Sequence, residues 1–240
     1  MNLAVDYGNS SAKVGIFEND RFLEQFVFEQ PADLKLFLEN YRADNFIISS
    51  VAPDADAVSS WARKVRNKFV LTPDLPLPVV NRYATPKTLG VDRIAGVCGA
   101  RQLYANDHCL VIDAGTCITY DFVDSDGIYH GGAISPGLRM RFQAVHTFTS
   151  RLPLVDIPAD APLIGDTTAK SIQSGVMNGI IAEAQGIIMR YEQQFEGLKV
   201  ILCGGDGGFF ENKLKGSIFA VPELVLSGLN SILNYNVVRK

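Results

Sequence analysis

LAVDYGNSSAKVGIFENDRF, residues 3–22, and LVIDAGTCITYDFVDSDGIY, residues 110–129, decide how this chain reads. Each begins with a short apolar run that ends in Asp-x-Gly. Each continues into a second apolar run, a polar turn and a third run. At an offset of 107 residues Asp6 falls on Asp113 and Gly8 on Gly115. A repeated strand, tight turn, strand, turn, strand pattern predicts an internal duplication.

Apolar period extends the reading outward from these stretches. Leu3–Asp6, Val14–Phe17 and Phe22–Phe28 are predicted strands, with a turn at Glu18–Asn19–Asp20. Leu34, Phe37, Leu38 and Tyr41 recur at helical spacing after Pro31 and predict a helix. Phe46 to Val51 is a further strand. Val58, Trp61, Ala62 and Val65 repeat the helical spacing. Pro73, Pro76, Pro78 and Pro86 mark an irregular crossing, and a helix follows from about Val91 to Tyr104. In the second half, strands are expected at Leu110–Asp113, Thr116–Val123 and Ile128–Ile134, with a hairpin turn at Ser125–Asp126–Gly127. Helices are expected near Leu138–Phe148 and Thr168–Phe195. A strand at Val200–Cys203 runs into Gly204–Gly205, and a last helix starts near Pro222.

Composition narrows the function. The chain has 240 residues, 47% hydrophobic and 20% charged, which suits a globular fold with a sizeable core. With 22 basic against 26 acidic residues and a pI near 5.4, it lacks the basic footprint of a nucleic-acid binder. No secretory leader and no membrane-spanning run is read at the sequence level, so no membrane partner is expected. Cys98, Cys109, Cys117 and Cys203 form no C-x-x-C pair and read as reduced, buried thiols of a cytoplasmic protein. His108, His130 and His146 lack metal spacing or a neighbouring nucleophile, and Trp61 reads as core.

The chemistry lies in the strand ends. A Gly after a strand-end Asp lets the backbone turn tightly and approach a ligand. Asn9, Ser10 and Ser11 then offer amides and hydroxyls to phosphate oxygens. Asp6 is suited to Mg²⁺, which prefers oxygen ligands and keeps several waters. Lys13 adds a positive charge. The same residues also suit ordinary strand-end turns in which Asp caps local amides. Neither a G-x-x-x-x-G-K-[ST] loop nor a strand-linked G-x-G-x-x-G is present. Asp92 and Arg93 follow Gly90 at a predicted helix start. They fit either a helix-dipole carboxylate with a surface Arg or a base that takes a proton from an attacking hydroxyl.

Taken in order, these motifs resemble the type III pantothenate kinases. The resemblance is carried by Asp6-x-Gly8-Asn9-Ser10 with Lys13, and by Pro86 with Leu89–Gly90–Val91–Asp92–Arg93. It continues through Asp113–Ala114–Gly115–Thr116 with Thr119 and Asp121, Gly131 to Gly137, Thr149 to Pro153, and Ile164–Gly165, Thr168 and Ile172 to Gly175. The family sits in the acetate and sugar kinase, Hsp70 and actin superfamily. The resemblance implies an α/β fold of two duplicated ribonuclease H-like (actin-like ATPase) lobes, mixed sheets flanked by helices, here expected at 1–105 and 106–240.

It also implies transfer of the ATP γ-phosphate to pantothenate, the first step of coenzyme A synthesis. By match, Asp92 would be the base. Tyr83, Gly90, Val91, Asp92, Arg93 and Thr168 would contact pantothenate. Asp6, Tyr7, Gly8, Asn9, Ser10, Ser11, Ala12, Lys13 and Thr116 would contact ATP with its Mg²⁺. Asp113 would hold K⁺ or NH₄⁺. The family is homodimeric, with Thr168 expected to reach the partner chain's site, and Gly175, Gly179 and Gly186 suit close helix packing. Cys117, Ser150 and Asp166–Thr167 depart from the family's commoner residues. Two other functions compete: a kinase for another small hydroxyl compound, and a nucleotide-binding regulator, which would have no need of a base at Asp92.

Overall fold

The computed structural model describes residues 1–8, 11–50 and 55–239. The chain divides into two units, Met1–Asp107 with Val123–Gly131 and Glu223–Lys240, and His108–Phe122 with Gly132–Pro222.

The first unit opens with β1 (Asn2–Tyr7), β2 (Ala12–Glu18) and β3 (Arg21–Phe28), followed by α1 (Pro31–Asn40), β4 (Ala43–Ser50), α2 (Ala55–Trp61) and β5 (Val65–Val70). The sheet order is β3-β2-β1-β4-β5. β2 runs antiparallel to β1 and β3, whereas β4 lies parallel to β1 and to β5. Asn19, at φ +54°, turns β2 into β3, a conformation that Asn tolerates better than most residues. Leu3, Val5, Val14, Leu34, Leu38 and Phe46 are buried together between sheet and helices. After the Pro-rich crossing come β6 (Val80–Asn81) and α3 (Val91–Leu103). β6 pairs with Ile128 and Tyr129.

The second unit repeats the plan. It carries β7 (Cys109–Ala114), β8 (Cys117–Val123), β9 (Ile128–Pro136), α4 (Leu138–Thr147), α5 (Thr168–Gln194), β10 (Lys199–Cys203), α6 (Gly207–Glu211) and β11 (Ile218–Ala220). The outer turn of β8 and β9, residues 123–131, belongs with the first unit. The order β9-β8-β7-β10-β11 matches that of the first sheet strand for strand. The duplication read from Asp6 and Asp113 is therefore present in the topology. Leu110, Ile112, Tyr120, Phe142, Ile180 and Leu202 form this unit's core.

Three features differ from the sequence reading. Val65 does not extend α2 but opens β5, where Val65, Phe69 and Val70 suit a strand. The Gly-rich turn after β10 leads into the short α6 and then β11, neither of which was expected. The expected division at residue 105 placed the whole C-terminus in the second lobe, but α7 (Leu224–Val237) groups with the first unit. There it packs on α3, where a Cβ on Gly99 would strike the Leu224 backbone and one on Gly228 the Ala95 backbone. Its Asn230 and Asn234 accept hydrogen bonds from Asn2 Nδ2 at 2.8 and 2.7 Å. Leu226, Leu229, Ile232 and Leu233 are buried on the same helix.

In unit 2 an irregular segment lies along the first half of α5. Its carbonyls are satisfied by side chains of that helix: Ser171 Oγ donates to Gly165 O, Gln173 Nε2 to Asp156 O, Ser174 Oγ to Leu163 O and Asn178 Nδ2 to Pro162 O. A segment without secondary structure keeps its place by such bonds.

Candidate active site

Asp6 stands near the C-terminal end of β1, where α/β sheets present ligand-binding groups. Lys13 faces it across the β1–β2 ladder. Ser49 sits beside it in the parallel register with β4, and its Oγ donates to Asp6 Oδ1 at 3.0 Å. Burial holds the Asp6 carboxyl above its ordinary value, and the negative charge of Asp92 pushes the same way; Ser49 and Lys13 pull it down. Asp6 and Asp92, 86 positions apart in the sequence, therefore feel each other within one unit. Gly8 N–H donates to Ser11 O at 3.0 Å, closing the turn between β1 and β2. Asn9 and Ser10 lie outside the described residues.

Asp92 stands in the first turn of α3, where the helix dipole favours a carboxylate. Its Oδ1 accepts the Arg93 amide at 2.9 Å, which fixes the carboxylate's direction. Arg93 is only 8% exposed. Its guanidinium carbon lies 5.6 Å from the centre of the Tyr83 ring, and Tyr83 stacks on the buried Tyr129 ring at 6.2 Å and 15°. Tyr83 N–H donates to Asn81 Oδ1 at 2.9 Å, tying the ring to the end of β6. Unit 1 thus brings together Asp6, Lys13, Tyr83, Asp92 and Arg93, with Gly90 as the N-cap of α3 and Val91 its first residue. Tyr7 and Ala12 pair across the same ladder.

Unit 2 repeats the strand-end device. Asp113 lies near the end of β7, beside Cys203 of β10. Gly115 N–H donates to Cys117 O at 2.9 Å, and Thr116 points outward from this turn, exposed. Gly204 has φ +91°, and a Cβ there would fall on Ala114 O and Asp113 Oδ1, so the turn after β10 can close on β7 only with glycine. Asp206 N–H donates to Ala114 O at 2.8 Å. Burial raises the Asp206 carboxyl, and Arg139 partly offsets the rise. Gly137 N–H donates to Thr116 O at 3.1 Å, and a Cβ at Gly137 would strike the carbonyls of Gly115 and Thr116. Thr168 is the exposed first residue of α5, behind the N-cap Thr167, whose Oγ1 accepts Lys170 N at 3.2 Å.

The donor sets fit cations. Asp6 is a buried, under-compensated carboxylate next to a second negative charge, a setting that a divalent ion relieves. Mg²⁺ takes one or two carboxylates and otherwise waters and phosphates, and Asp6 supplies one such carboxylate. Beside Gly204 the Ala114 carbonyl oxygen and Asp113 Oδ1 come together, the kind of donor a hard cation takes.

Sequence reasoning missed Ser49, Asp206 and the pair Arg141–Glu183. Each is a polar residue whose partner lies far away in the chain, so spacing carries no signal for it.

Comparison with known proteins adds the following. The profile of the type III pantothenate kinase family matches residues 2–190. The type III pantothenate kinase of Phocaeicola vulgatus is 43% identical over 239 residues, covering 98% of this chain and 99% of its own. Among solved structures, a Campylobacter jejuni protein assigned to the Baf family of transcriptional activators superposes with a TM-score of 0.65 at 23% identity, covering 98% of this chain and 99% of its own. The activator of 2-hydroxyisocaproyl-CoA dehydratase from Clostridium difficile, solved with bound ADPNP, gives 0.55 at 13% identity, with 99% and 94% covered. At such identities these two structures establish the fold, that of the actin-like ATPases and sugar kinases. No helix among the described residues is long and apolar enough to cross a membrane.

Proposed function

This chain belongs to the type III pantothenate kinase family and phosphorylates pantothenate with ATP in coenzyme A synthesis, and we propose that Asp92 is the base of that reaction. The observation that carries the assignment is the Asp6–Asp92 pair: the charge of Asp92, at a helix start, is near enough to push up the proton affinity of Asp6, half-buried at a strand end.

Phosphoryl transfer asks a protein mainly for positioning and for neutralisation of charge. Asp92 Oδ1 is pinned by the Arg93 amide, which leaves Oδ2 to take the proton of the substrate hydroxyl. The hydroxyl oxygen bonds to the γ-phosphorus, the bond from γ-phosphorus to the bridging oxygen breaks, and ADP leaves. Arg93, desolvated and braced on Tyr83, pairs with the substrate carboxylate through its guanidinium fork. Gly90, Val91 and Thr168 complete the pantothenate contacts. Residues 6–13 of unit 1 would contact ATP, and Thr116 of unit 2 is assigned to the same ligand. Asp6 would hold Mg²⁺, which supplies charge neutralisation on the phosphates. Asp113 would hold K⁺ or NH₄⁺.

A homodimer completes the proposal. Leu163 and Ile164, on the segment that α5 straps down, are each 82% exposed, and Phe148 at the end of α4 is 85% exposed. At Gly175, Gly179 and Gly186 an added Cβ would meet nothing within 4 Å, which leaves that part of α5 open to a neighbour. Large apolar side chains so exposed favour burial against another surface, and a second copy would cover them beside Thr168.

The regulator reading is disfavoured by Asp92 itself, since a protein that only binds nucleotide has no use for a carboxylate held beside Asp6. The deciding experiment incubates the protein with ATP, Mg²⁺, K⁺ and pantothenate and weighs the product. A gain of one phosphoryl group, lost in Asp92→Asn, supports the reading. Folded, ATP-binding protein that leaves pantothenate unchanged refutes it.

A further inference from the structure

Ser135 and Pro136 end β9, and Gly137, the N-cap of α4, turns the chain into that helix. Arg141, in the first half of α4, reaches back onto this turn. Its Nε donates to Pro136 O at 2.8 Å, and its Nη2 donates to Ser135 Oγ at 2.7 Å and to Glu183 Oε2 at 2.8 Å. Glu183 comes from the middle of α5, and its other oxygen accepts from the Tyr120 hydroxyl of β8 at 3.4 Å. Tyr120 is wholly buried, and its hydroxyl is held protonated by burial and by the charge of Glu183. The Arg141 and Glu183 side chains are 20 and 31% exposed, so water screens the pair only in part.

The strand end and turn that Arg141 holds touch the Gly115–Thr116 loop. Gly137 donates to Thr116 O, and its missing side chain lets the Gly115 and Thr116 carbonyls rest against it. A shift of this turn moves the Gly115–Thr116 backbone with it. Misplacement of a binding group by about 1 Å is enough to lose a large part of its effect.

We propose that Arg141, anchored by Glu183, is a positioning residue that sets the height of the Gly115–Thr116 loop against the ATP phosphates. The proposal rests on the reading of that loop as an ATP contact. The planar fork is essential to it. One guanidinium serves a carbonyl, a hydroxyl and a carboxylate in fixed directions, which an ammonium cannot do. Arg141 spends its donors on Pro136, Ser135 and Glu183, so its effect runs through the turn.

The test is steady-state kinetics with each substrate varied in turn, alongside thermal unfolding. Arg141→Lys keeps the charge and loses the fork; the KM for ATP is expected to rise about tenfold, as removal of a charge-assisted bond implies. The KM for pantothenate and the Tm stay near wild type. Glu183→Gln keeps an acceptor for Nη2 and raises the ATP KM less than Glu183→Ala does. An unchanged ATP KM in both Arg141→Lys and Arg141→Met overturns the proposal. So does an equal rise in both KM values together with a fallen Tm, the mark of general loosening. Thr116→Ala separates this inference from the site reading. If it leaves the ATP KM untouched while the Arg141 variants raise it, the Thr116 side chain leaves the ATP site and the positioned backbone stands.

Discussion

Ser49 Oγ donates a 3.0 Å hydrogen bond to Asp6 Oδ1 across two parallel strands. Ser49 is wholly buried and gives Asp6 a hydroxyl. That neutral donor and the charge of Lys13 do not cancel the cost of the buried charge, which Asp92 increases. Asp6 is thus an acid kept at a higher energy than a surface carboxylate, and a cation is the natural relief.

Asp6→Asn tests this directly. Its folded-state pKa lies above the ordinary 3.8, so the charge opposes folding at neutral pH. The neutral amide is expected to stabilise the metal-free protein by about 1 kcal/mol at pH 7 while abolishing turnover with Mg²⁺-ATP. The gain is fully present above the folded pKa and fades as pH falls through it towards 3.8. Denaturant melts of both proteins at neutral and acid pH check the sign. A destabilised Asp6→Asn at pH 7 contradicts it.

Asp92→Asn removes the base and leaves the helix start nearly isosteric. Turnover is expected to fall about 10²–10⁴-fold, the usual worth of a positioned base. ATP binding, followed by calorimetry, stays within about twofold, because a base adds nothing uniform to nucleotide affinity.

Arg93→Met leaves the Tyr83 face without its cation and the substrate carboxylate without a fork. The KM for pantothenate should rise about thirtyfold, equivalent to about 2 kcal/mol for a charge-assisted bond. Arg93→Lys recovers only part of this. A pantothenate analogue with an uncharged amide in place of the carboxylate should lose little between wild type and Arg93→Met. An equal loss for both compounds removes Arg93 from the carboxylate.

Replacing K⁺ by Na⁺ at constant ionic strength should lower kcat/KM in the wild type. Asp113→Asn should have a low rate in both salts. Equal wild-type rates in the two buffers count against a monovalent ion at Asp113.

Leu163→Glu with Ile164→Glu places charges on the exposed apolar segment beside α5. Sedimentation should change from dimer to monomer, with pantothenate binding weakened and ATP binding kept. A wild type that sediments as a monomer rejects the dimer outright.

Much of this architecture was legible because it is local. The strand-turn-strand pattern after Leu3 recurs after Leu110, and both sheets order their strands alike. Leu34, Leu38 and the long apolar face of α5 announce their helices by period. Asp6, Asp92 and Asp113 were legible because their spacing to glycine is a local device. What escaped depends on partners far apart in the chain. β5 escaped because Val65 falls at helical spacing from Val58 and Trp61, and only pairing with β4 makes it a strand. Ser49 and Asp6 are 43 residues apart, and Arg141 and Glu183 are 42 apart. The membership of α7 was illegible for the same reason, since Asn2 meets Asn230 across 228 residues.

That last contact bears on how the chain is made. A ribosome delivers β1 long before α7, and Asn2, which accepts a bond from Asn45 of β4, finds the acceptors for its own Nδ2 only when residues 224–237 emerge. Apart from the outer turn of β8 and β9, unit 2 needs only residues between 108 and 222 and has them earlier. The usual vectorial order, in which N-terminal segments settle first, is therefore reversed: the lobe begun first is finished last. A nascent chain stalled before α7 would carry a folded second lobe and an open first one, its apolar faces available to chaperones. Emergence of α7 becomes the event that closes the lobe carrying Asp6 and Asp92.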